Sequence, residues 1–200
     1  MGRIGGRVPS DRTREAAPAV TLRRMSNVDR SPLEALIRAV PDFPQPGILF
    51  RDITPLLFDP AARATAIEAM AEEARRLDAE VVAGVESRGF IFGLPIAERL
   101  GLPFVPVRKS GKLPHDIATT HYDLEYGTAT LEMHRSPSVA GRRVLVVDDL
   151  LATGGTAAAA ARLVEEVGGT VAGFVFLIEL AGLDGRALLG GRAVSAVLRY

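Results

Sequence analysis

Residues Val144 to Thr156 read Val-Leu-Val-Val-Asp-Asp-Leu-Leu-Ala-Thr-Gly-Gly-Thr, and this stretch decides the fold. It begins as an apolar run, Val144 to Val147, of the kind that is buried in parallel sheets. Two acidic residues follow, Asp148 and Asp149, and a glycine-containing turn then opens an alanine-rich helix. Because parallel α/β sheets bind ligands beyond the carboxyl ends of their strands, the pattern predicts a binding site at this turn.

The turn Ala152-Thr-Gly-Gly-Thr156 has the composition of a phosphate site. Gly154 and Gly155 lack a Cβ, so backbone amides can close on an anion. Thr153 and Thr156 add hydroxyl donors, and the helix that follows adds unpaired N–H groups and the positive end of its dipole. A Walker loop is excluded because Gly155 stands where that loop has lysine, and the G-x-G-x-x-G fingerprint of dinucleotide sites is absent from the sequence.

The two carboxylates must serve another part of the ligand, because they would repel a phosphate. The vicinal hydroxyls of a sugar would satisfy Asp148 and Asp149 as acceptors, and the same carboxylates would stabilise positive charge that develops on the sugar. A phosphorylated ribose therefore fits both halves of the site. Two acids after an apolar strand are common on their own, and it is the whole run from Val144 to Thr156 that favours this interpretation over a plain turn.

On both sides of this stretch the sequence predicts strands that alternate with helices. This alternation indicates an α/β fold with a mostly parallel sheet. Ser31 is expected to cap the first helix, with Glu34 closing a capping box, and Asp59 to cap the second. The predicted helices are 31–40, 60–77, 89–99 and 156–167. The predicted strands are 81–85, 103–107, 126–133, 143–147, 171–178 and 193–198. Prolines exclude a helix from 42–55, and residues 108–124 are predicted to form a long polar loop.

The composition fits one soluble globular domain, which we expect to span residues 28–200. Of the 200 residues, 48% are hydrophobic, and 24 Lys and Arg balance 24 Asp and Glu. A neutral chain gives no reason to expect nucleic-acid or membrane partners, and the lack of cysteine excludes disulfides and zinc–thiolate sites. We expect a cytoplasmic location. Residues 1–27 are expected to form a disordered, arginine-containing extension, since no apolar segment marks a secretory signal.

The run from Val144 to Thr156 resembles the phosphoribosyl-pyrophosphate motif of type I phosphoribosyltransferases, and residues 31–200 are similar throughout to the adenine-specific branch of that family. The resemblance implies the type I fold, with an N-terminal hood and a flexible lid loop. It implies an enzyme of purine salvage that transfers 5-phosphoribosyl from phosphoribosyl pyrophosphate (PRPP) to adenine and releases AMP and pyrophosphate. It also implies a homodimer, with the lid or its lysines near the partner subunit.

Two further segments carry the resemblance. Residues 42–55 match the hood over the base, where Phe50 is expected to stack on adenine and Arg51 to flank the site. Residues 86–89 match the pyrophosphate loop, where Arg88 is expected to bind phosphate oxygens with its fork of donors. By residue type alone, Phe50 could instead be a core residue and Arg88 a solvated turn residue.

The long polar loop matches the catalytic lid of the family. Its basic residues Arg108, Lys109 and Lys112 are expected to bind pyrophosphate, and lid closure would exclude the water that hydrolyses an activated sugar. Glu125 and Tyr126 match the element that ends the lid. The resemblance places the glutamate near the base, so Glu125 is the candidate for moving the base proton. The lysines could also belong to a merely solvated loop.

Mg²⁺ is the expected cofactor, since a pyrophosphate leaving group needs its charge neutralised by a cation that prefers oxygen ligands. We expect pyrophosphate to carry the ion, because no carboxylate cage is visible in the sequence and no histidine pair has metal-ligand spacing. Two alternatives stay open. One is transfer to another base, such as hypoxanthine or xanthine. The other is a regulator that binds the ribose phosphate without turnover.

Overall fold

The computed structural model describes residues 30–123, 128–137 and 139–200. The first described elements are helix α1 (Ser31–Glu34), the antiparallel strands β1 (Arg38–Pro41) and β2 (Leu49–Asp52), and helix α2 (Thr54–Phe58). The predicted hood segment, 42–55, includes β2 and the turn that joins it to β1. The disordered extension predicted over 1–27 lies outside the described residues.

A larger sheet follows, flanked by helices. Its strands are β3 (Val81–Val85), β4 (Phe104–Lys109), β5 (Ile117–Asp123), β6 (Thr128–His134), β7 (Arg143–Leu151), β8 (Thr170–Glu179) and β9 (Val194–Arg199). Within the described part of the chain, the seven strands have the order β5-β6-β4-β3-β7-β8-β9. The five strands β4, β3, β7, β8 and β9 are parallel, whereas β6 pairs antiparallel with β4 and with the edge strand β5. The predicted α/β fold with a mostly parallel sheet is confirmed.

The longer helices are α3 (Pro60–Arg75), α4 (Arg88–Leu100) and α5 (Gly155–Glu166), and two short 3₁₀ helices, Ala181–Leu183 and Gly185–Leu189, follow β8. These three α-helices lie where the sequence predicts them. As expected, Asp59 caps α3, because its carboxylate accepts the backbone N–H groups of Ala61 and Ala62 at 2.8 and 3.0 Å. In the described residues, no helix is long and apolar enough to cross a membrane.

Each central strand contributes to two cores, one on either face of the sheet. In β7, Val144 and Val146 pack into the core that contains α5, while Leu145 and Val147 pack into the core that contains α3 and α4. All four side chains are fully buried. Burial on both faces explains why the strands are continuous apolar runs rather than alternating ones.

The predicted helix over 31–40 is wrong beyond its first turn. Helix α1 ends at Glu34, and Arg38–Pro41 forms β1, in which Val40 pairs with Phe50 of β2. Ser31 is the first helical residue and Arg30 occupies the N-cap position, so the expected capping box does not form. A helix of this length is marginal on its own, and strand pairing satisfies the backbone better.

The predicted loop over 108–124 is shorter than expected. Residues Ile117–Asp123 form β5, which pairs with β6 from Ile117 opposite His134 to Asp123 opposite Thr128. Ala118 and Tyr122 are buried, whereas Thr119 and His121 are exposed. An edge strand with one face in water carries mostly polar residues, and this composition made the segment look like a loop. Residues 110–116 remain as the loop between β4 and β5.

Strand β7 is longer than its apolar run. It continues through Asp148 and Asp149 to Leu151, because β8 runs alongside with Asp148 opposite Phe176 and Leu151 opposite Glu179. The two acids therefore lie inside the strand rather than beyond its end. Strand pairing with β8, rather than a turn, therefore sets the position of Asp148.

Candidate active site

A cavity of about 440 Å³ opens at the carboxyl ends of β3, β4 and β7. It brings together three predicted groups of residues: Arg88, the Asp148–Asp149 pair and the turn 152–156, with Lys109 at its margin. The other residues that line it are Glu86, Ser87, Tyr122, Ala129, Leu150, Leu151 and Ala157. The site therefore lies where a parallel sheet binds its ligands.

The acidic pair lies against the start of α4. Asp149 Oδ2 is 3.0 Å from Arg88 Nε, and the Asp149 side chain is 5% exposed against 38% for Arg88. Asp148 Oδ1 accepts the backbone N–H of Asp149 at 2.9 Å. The approach of α4 requires Gly89, since a Cβ there would lie 2.6 Å from Val147 O and 3.1 Å from Asp148 Oδ1.

The two carboxylates differ in their electrostatic surroundings. Burial and the neighbouring charge of Asp149 raise the pKa of Asp148 well above its ordinary value. Burial also raises the pKa of Asp149, although the Arg88 guanidinium acts in the opposite direction. Two close carboxylates that share one cation favour retaining a proton. A ligand with hydroxyl donors would relieve this by hydrogen bonding to the charged oxygens.

The phosphate turn connects β7 to α5. Gly154 occupies the N-cap position of α5 with φ +86°, a conformation that favours glycine, and no side chain caps the helix. Among the described residues, no side-chain cap is found for the first N–H groups of α5, and these groups lie at the wall of the cavity. Thr153 and Thr156 line the same wall. This arrangement suits a phosphate monoester.

The basic residues of the lid are held by two acids, and they do not all face the cavity. Arg108 Nε donates to Glu86 Oε2 at 3.2 Å, and the backbone N–H of Lys109 donates to the same oxygen at 2.9 Å. Burial acts against the charge of Glu86, but these donors outweigh it and hold its pKa below the ordinary value. Arg108 and Lys112 do not line the cavity, whereas Lys109 does.

Glu132 anchors the lid loop from β6. This buried carboxylate accepts the backbone N–H groups of Gly111 at 3.0 Å and of Lys112 and Leu113 at 2.6 Å. Burial alone would raise the pKa of Glu132, yet the three donors and the charge of Arg108 bring it below the ordinary value. Residues 111–113, at the start of the predicted lid, are therefore fixed to the sheet.

The hood lies beside Arg88. Phe50 is partly buried, so it is not a core residue, and its ring packs edge to face on Phe43 at 5.1 Å between centroids. Arg88 Cζ lies 5.8 Å from the Phe50 centroid, so this arginine bridges the hood and Asp149. The Arg51 guanidinium stacks on the Tyr200 ring at 3.9 Å, which commits its side chain to the C-terminal residue. Neither Phe50 nor Arg51 lines the cavity itself.

Comparison with known proteins identifies the family. The model of the phosphoribosyl transferase domain family matches residues 57–187. The adenine phosphoribosyltransferase of Agathobacter rectalis is 56% identical over 164 residues, which cover 82% of this chain and 94% of that protein. The chain belongs to the adenine phosphoribosyltransferase family.

Solved structures of adenine phosphoribosyltransferases have the same fold. The enzyme of Thermoanaerobacter pseudethanolicus superposes with a TM-score of 0.82 at 48% identity, covering 85% of this chain and 99% of that one. The enzyme of Saccharomyces cerevisiae, complexed with D-2,5-dideoxy-2,5-imino-altritol 1,6-bisphosphate and adenine, has a TM-score of 0.79 at 38% identity. That match covers 84% of this chain and 97% of the yeast chain.

Two of the predicted site residues, Glu125 and Tyr126, lie outside the described residues. Conversely, sequence reasoning missed the structural roles of Glu86, Tyr122 and Glu132. The sequence does contain a signal for Glu86 as a site residue, because Glu86 directly follows the buried strand β3. Glu132 had none, since an acid inside an alternating strand is normally taken to face water.

Proposed function

We propose that the chain catalyses transfer of 5-phosphoribosyl from PRPP to adenine, giving AMP and pyrophosphate. The observation that carries the proposal is the Asp148–Asp149 pair beside the phosphate turn 152–156 in one cavity, in a chain of this family. The turn, through the amides of Gly154 and Gly155 and the hydroxyls of Thr153 and Thr156, holds the 5-phosphate. Main-chain groups of Ala152 and its neighbours complete this cradle.

The carboxylates act on the ribose. Asp148 and Asp149 accept hydrogen bonds from its hydroxyls and stabilise the positive charge that develops at C1 as the bond to pyrophosphate breaks. Arg88, at the mouth of the hood, binds pyrophosphate oxygens with the donors that Asp149 does not use. Lys109, which lines the cavity, adds positive charge around the leaving group, and Arg108 and Lys112 add charge from outside the lining.

The hood and the end of the lid bind the base. Phe50 stacks on adenine, as its partly buried ring next to Arg88 allows. Because the Arg51 side chain is stacked on Tyr200, Arg51 contacts adenine through its main chain. Glu125 moves the base proton, and Tyr126 closes the lid behind it. The yeast relative, solved with adenine and a bisphosphate, supports a paired base and phosphate site.

Mg²⁺ fits this site as an ion carried by the substrate. Among residues 30–123, 128–137 and 139–200, no three His, Cys, Asp or Glu side chains form a group that could hold a metal. The ligands of the ion would come mainly from pyrophosphate and water, while Asp148 and Asp149 bind the ribose hydroxyls. Bound there, Mg²⁺ neutralises charge on the leaving group.

We also propose a homodimer. Ile91 and Leu94 on the outer face of α4 are 37% and 47% exposed, and their spacing of three places them side by side. The helix begins at Arg88, so a second copy on this face would lie next to the site and within reach of the lid lysines. The cytoplasmic location and the single domain over 28–200 stay predictions.

A pyrophosphate-release assay tests the activity. The full chain is mixed with Mg²⁺, PRPP and, in turn, adenine, hypoxanthine, guanine or xanthine. We expect release with adenine and little with the oxopurines, because an amino and an oxo group exchange a donor for an acceptor. Release only with an oxopurine would reassign the base. Binding of PRPP without release with any base would favour the regulator.

Replacing Phe50 by alanine is expected to raise KM for adenine by roughly 5- to 150-fold, since base–aromatic stacking contributes about 1–3 kcal/mol. KM for PRPP should not change, because Phe50 does not line the cavity that contains the phosphate turn. Phe58→Ala is the matched control: Phe58 is 89% exposed and lies outside the cavity lining. Equal KM values for adenine in both variants would exclude stacking by Phe50.

A further inference from the structure

The back of the phosphate turn is formed by the residues that follow β8, Ala181–Leu189, which we call the rear segment. Two backbones touch there without side chains between them. A Cβ on Gly154 would collide with Gly185 O, and a Cβ on Gly185 would collide with Ala152 O and lie 3.0 Å from Leu151 Cδ1. Gly185 is therefore required by the neighbouring chain segment, and Gly154 is required both by that segment and by its own φ of +86°.

An ion pair between the exposed Arg186 and the buried Glu179 holds the rear segment in place. The Arg186 guanidinium donates to both carboxylate oxygens of Glu179 at 2.7 Å through Nε and Nη2, and to Val194 O at 2.9 Å through Nη1. Glu179 ends β8, pairs with Leu151 in the sheet and is 4% exposed. Hydrogen bonds from Arg186, which outweigh burial, lower the pKa of Glu179. The rear segment is thus fixed to the end of β8, which lies beside the end of β7 that leads into the phosphate turn.

Backbone hydrogen bonds add to this attachment. Leu180 N–H donates to Leu151 O at 2.9 Å, and Ala181 N–H donates to Tyr200 O at 2.7 Å. The rear segment is therefore tied to β7 on one side and to the C-terminal residue on the other. It has little freedom to move away when the phosphate turn presses against it.

We propose that Gly185 is a positioning residue for the ribose 5-phosphate, and that Arg186 and Glu179 hold it in register. The inference rests on the proposed transfer reaction and assigns a role to residues outside its cavity. Since Gly185 contacts Ala152 and Gly154, its position sets where the turn's amides point. A shift of these amides of about 1 Å would weaken their hydrogen bonds to phosphate considerably.

The test compares Gly185→Ala with Gly182→Ala. Gly182 lies in the same segment, but a Cβ there would meet nothing within 4 Å. For Gly185→Ala we expect the Kd for ribose 5-phosphate, measured by calorimetry, to rise about tenfold, which is about 1.4 kcal/mol. KM for PRPP should rise about as much, with KM for adenine and kcat nearly unchanged. Gly182→Ala should match the wild type in all four values.

A merely structural role predicts a different result, in which kcat falls with the folded fraction while both KM values stay constant. That result, or an unchanged Kd in a folded Gly185→Ala variant, would overturn the proposal. If Gly185→Ala does not fold, Arg186→Lys tests the proposal instead. Lysine keeps the positive charge but cannot make the paired contact to Glu179. Arg186→Lys should raise the Kd for ribose 5-phosphate about threefold, which is roughly half of the free-energy effect expected for Gly185→Ala. An unchanged Kd would overturn the proposal.

The binding measurement also separates this inference from the proposed function. Ribose 5-phosphate binds whether or not the chain turns over adenine. A wild-type chain without transferase activity would contradict the proposed function, while its Kd for ribose 5-phosphate, compared with that of Gly185→Ala, would still decide the role of the rear segment.

Discussion

Replacing Asp149 by asparagine is expected to lower kcat/KM for PRPP by about 10²-fold or more, the usual effect of removing a group that stabilises transition-state charge. Asparagine has the same shape, so the cavity keeps its form. The change removes the negative charge that lies 3.0 Å from Arg88 and faces the sugar in the proposed complex. Steady-state kinetics with both substrates varied measures the loss, which should fall mainly on kcat.

The same substitution should leave Tm nearly unchanged. Arg88 is 38% exposed, so water solvates its charge once the partner is gone, and an ion pair of this kind contributes about 0–1 kcal/mol. Removing the buried charge of Asp149 offsets part of that loss. Asp78→Asn is the matched control, since Asp78 is 90% exposed and pairs with Arg143 at 3.1 Å far from the cavity. Full activity in Asp149→Asn would contradict the proposed role of the carboxylate pair.

The central fold could be predicted because its signals are local. Buried parallel strands are continuous apolar runs, and Asp59 and Gly154 mark helix starts with side-chain or backbone chemistry that is readable in the sequence. The errors fall where tertiary pairing decides the structure. The start signal at Ser31 predicts a helix to residue 40, but residues 38–41 pair with β2. Residues 117–123 look polar because only one face of the edge strand is buried.

The candidate site, too, could be predicted where its signals are local in the sequence and was missed where distant residues meet. The residues of the phosphate turn and the acidic pair are contiguous, so their chemistry could be read before their geometry was known. The rear segment could not be found in this way, because Gly185 is 31 positions from Gly154 in the sequence and acts through backbone contact alone. The role of Glu132 could not be predicted for a related reason, since its partners are the N–H groups of a distant loop.

Replacing Asp148 by asparagine is expected to have opposite effects on stability and on activity. Burial and the charge of Asp149 raise the pKa of Asp148, so its ionised form destabilises the ligand-free protein. Asparagine keeps an oxygen for the backbone N–H of Asp149 and removes that charge. We expect Tm at pH 8 to rise by roughly 2–4 °C, about 1 kcal/mol for a chain of this size. Activity should fall as far as in Asp149→Asn, because the ribose loses an ionised acceptor.

The pH dependence of this Tm gain identifies its cause. An acid whose pKa is raised by folding is protonated in both states at a pH below the ordinary value of 3.8, so wild type and Asp148→Asn should then differ little. As pH rises through the raised pKa, the wild type loses stability that the variant keeps, and the gap should widen towards pH 8. Asp78→Asn should show no such widening. A gap of constant size would assign the gain to packing, and a Tm below that of the wild type at pH 8 would show that the charged carboxylate is stabilised by contacts other than those described.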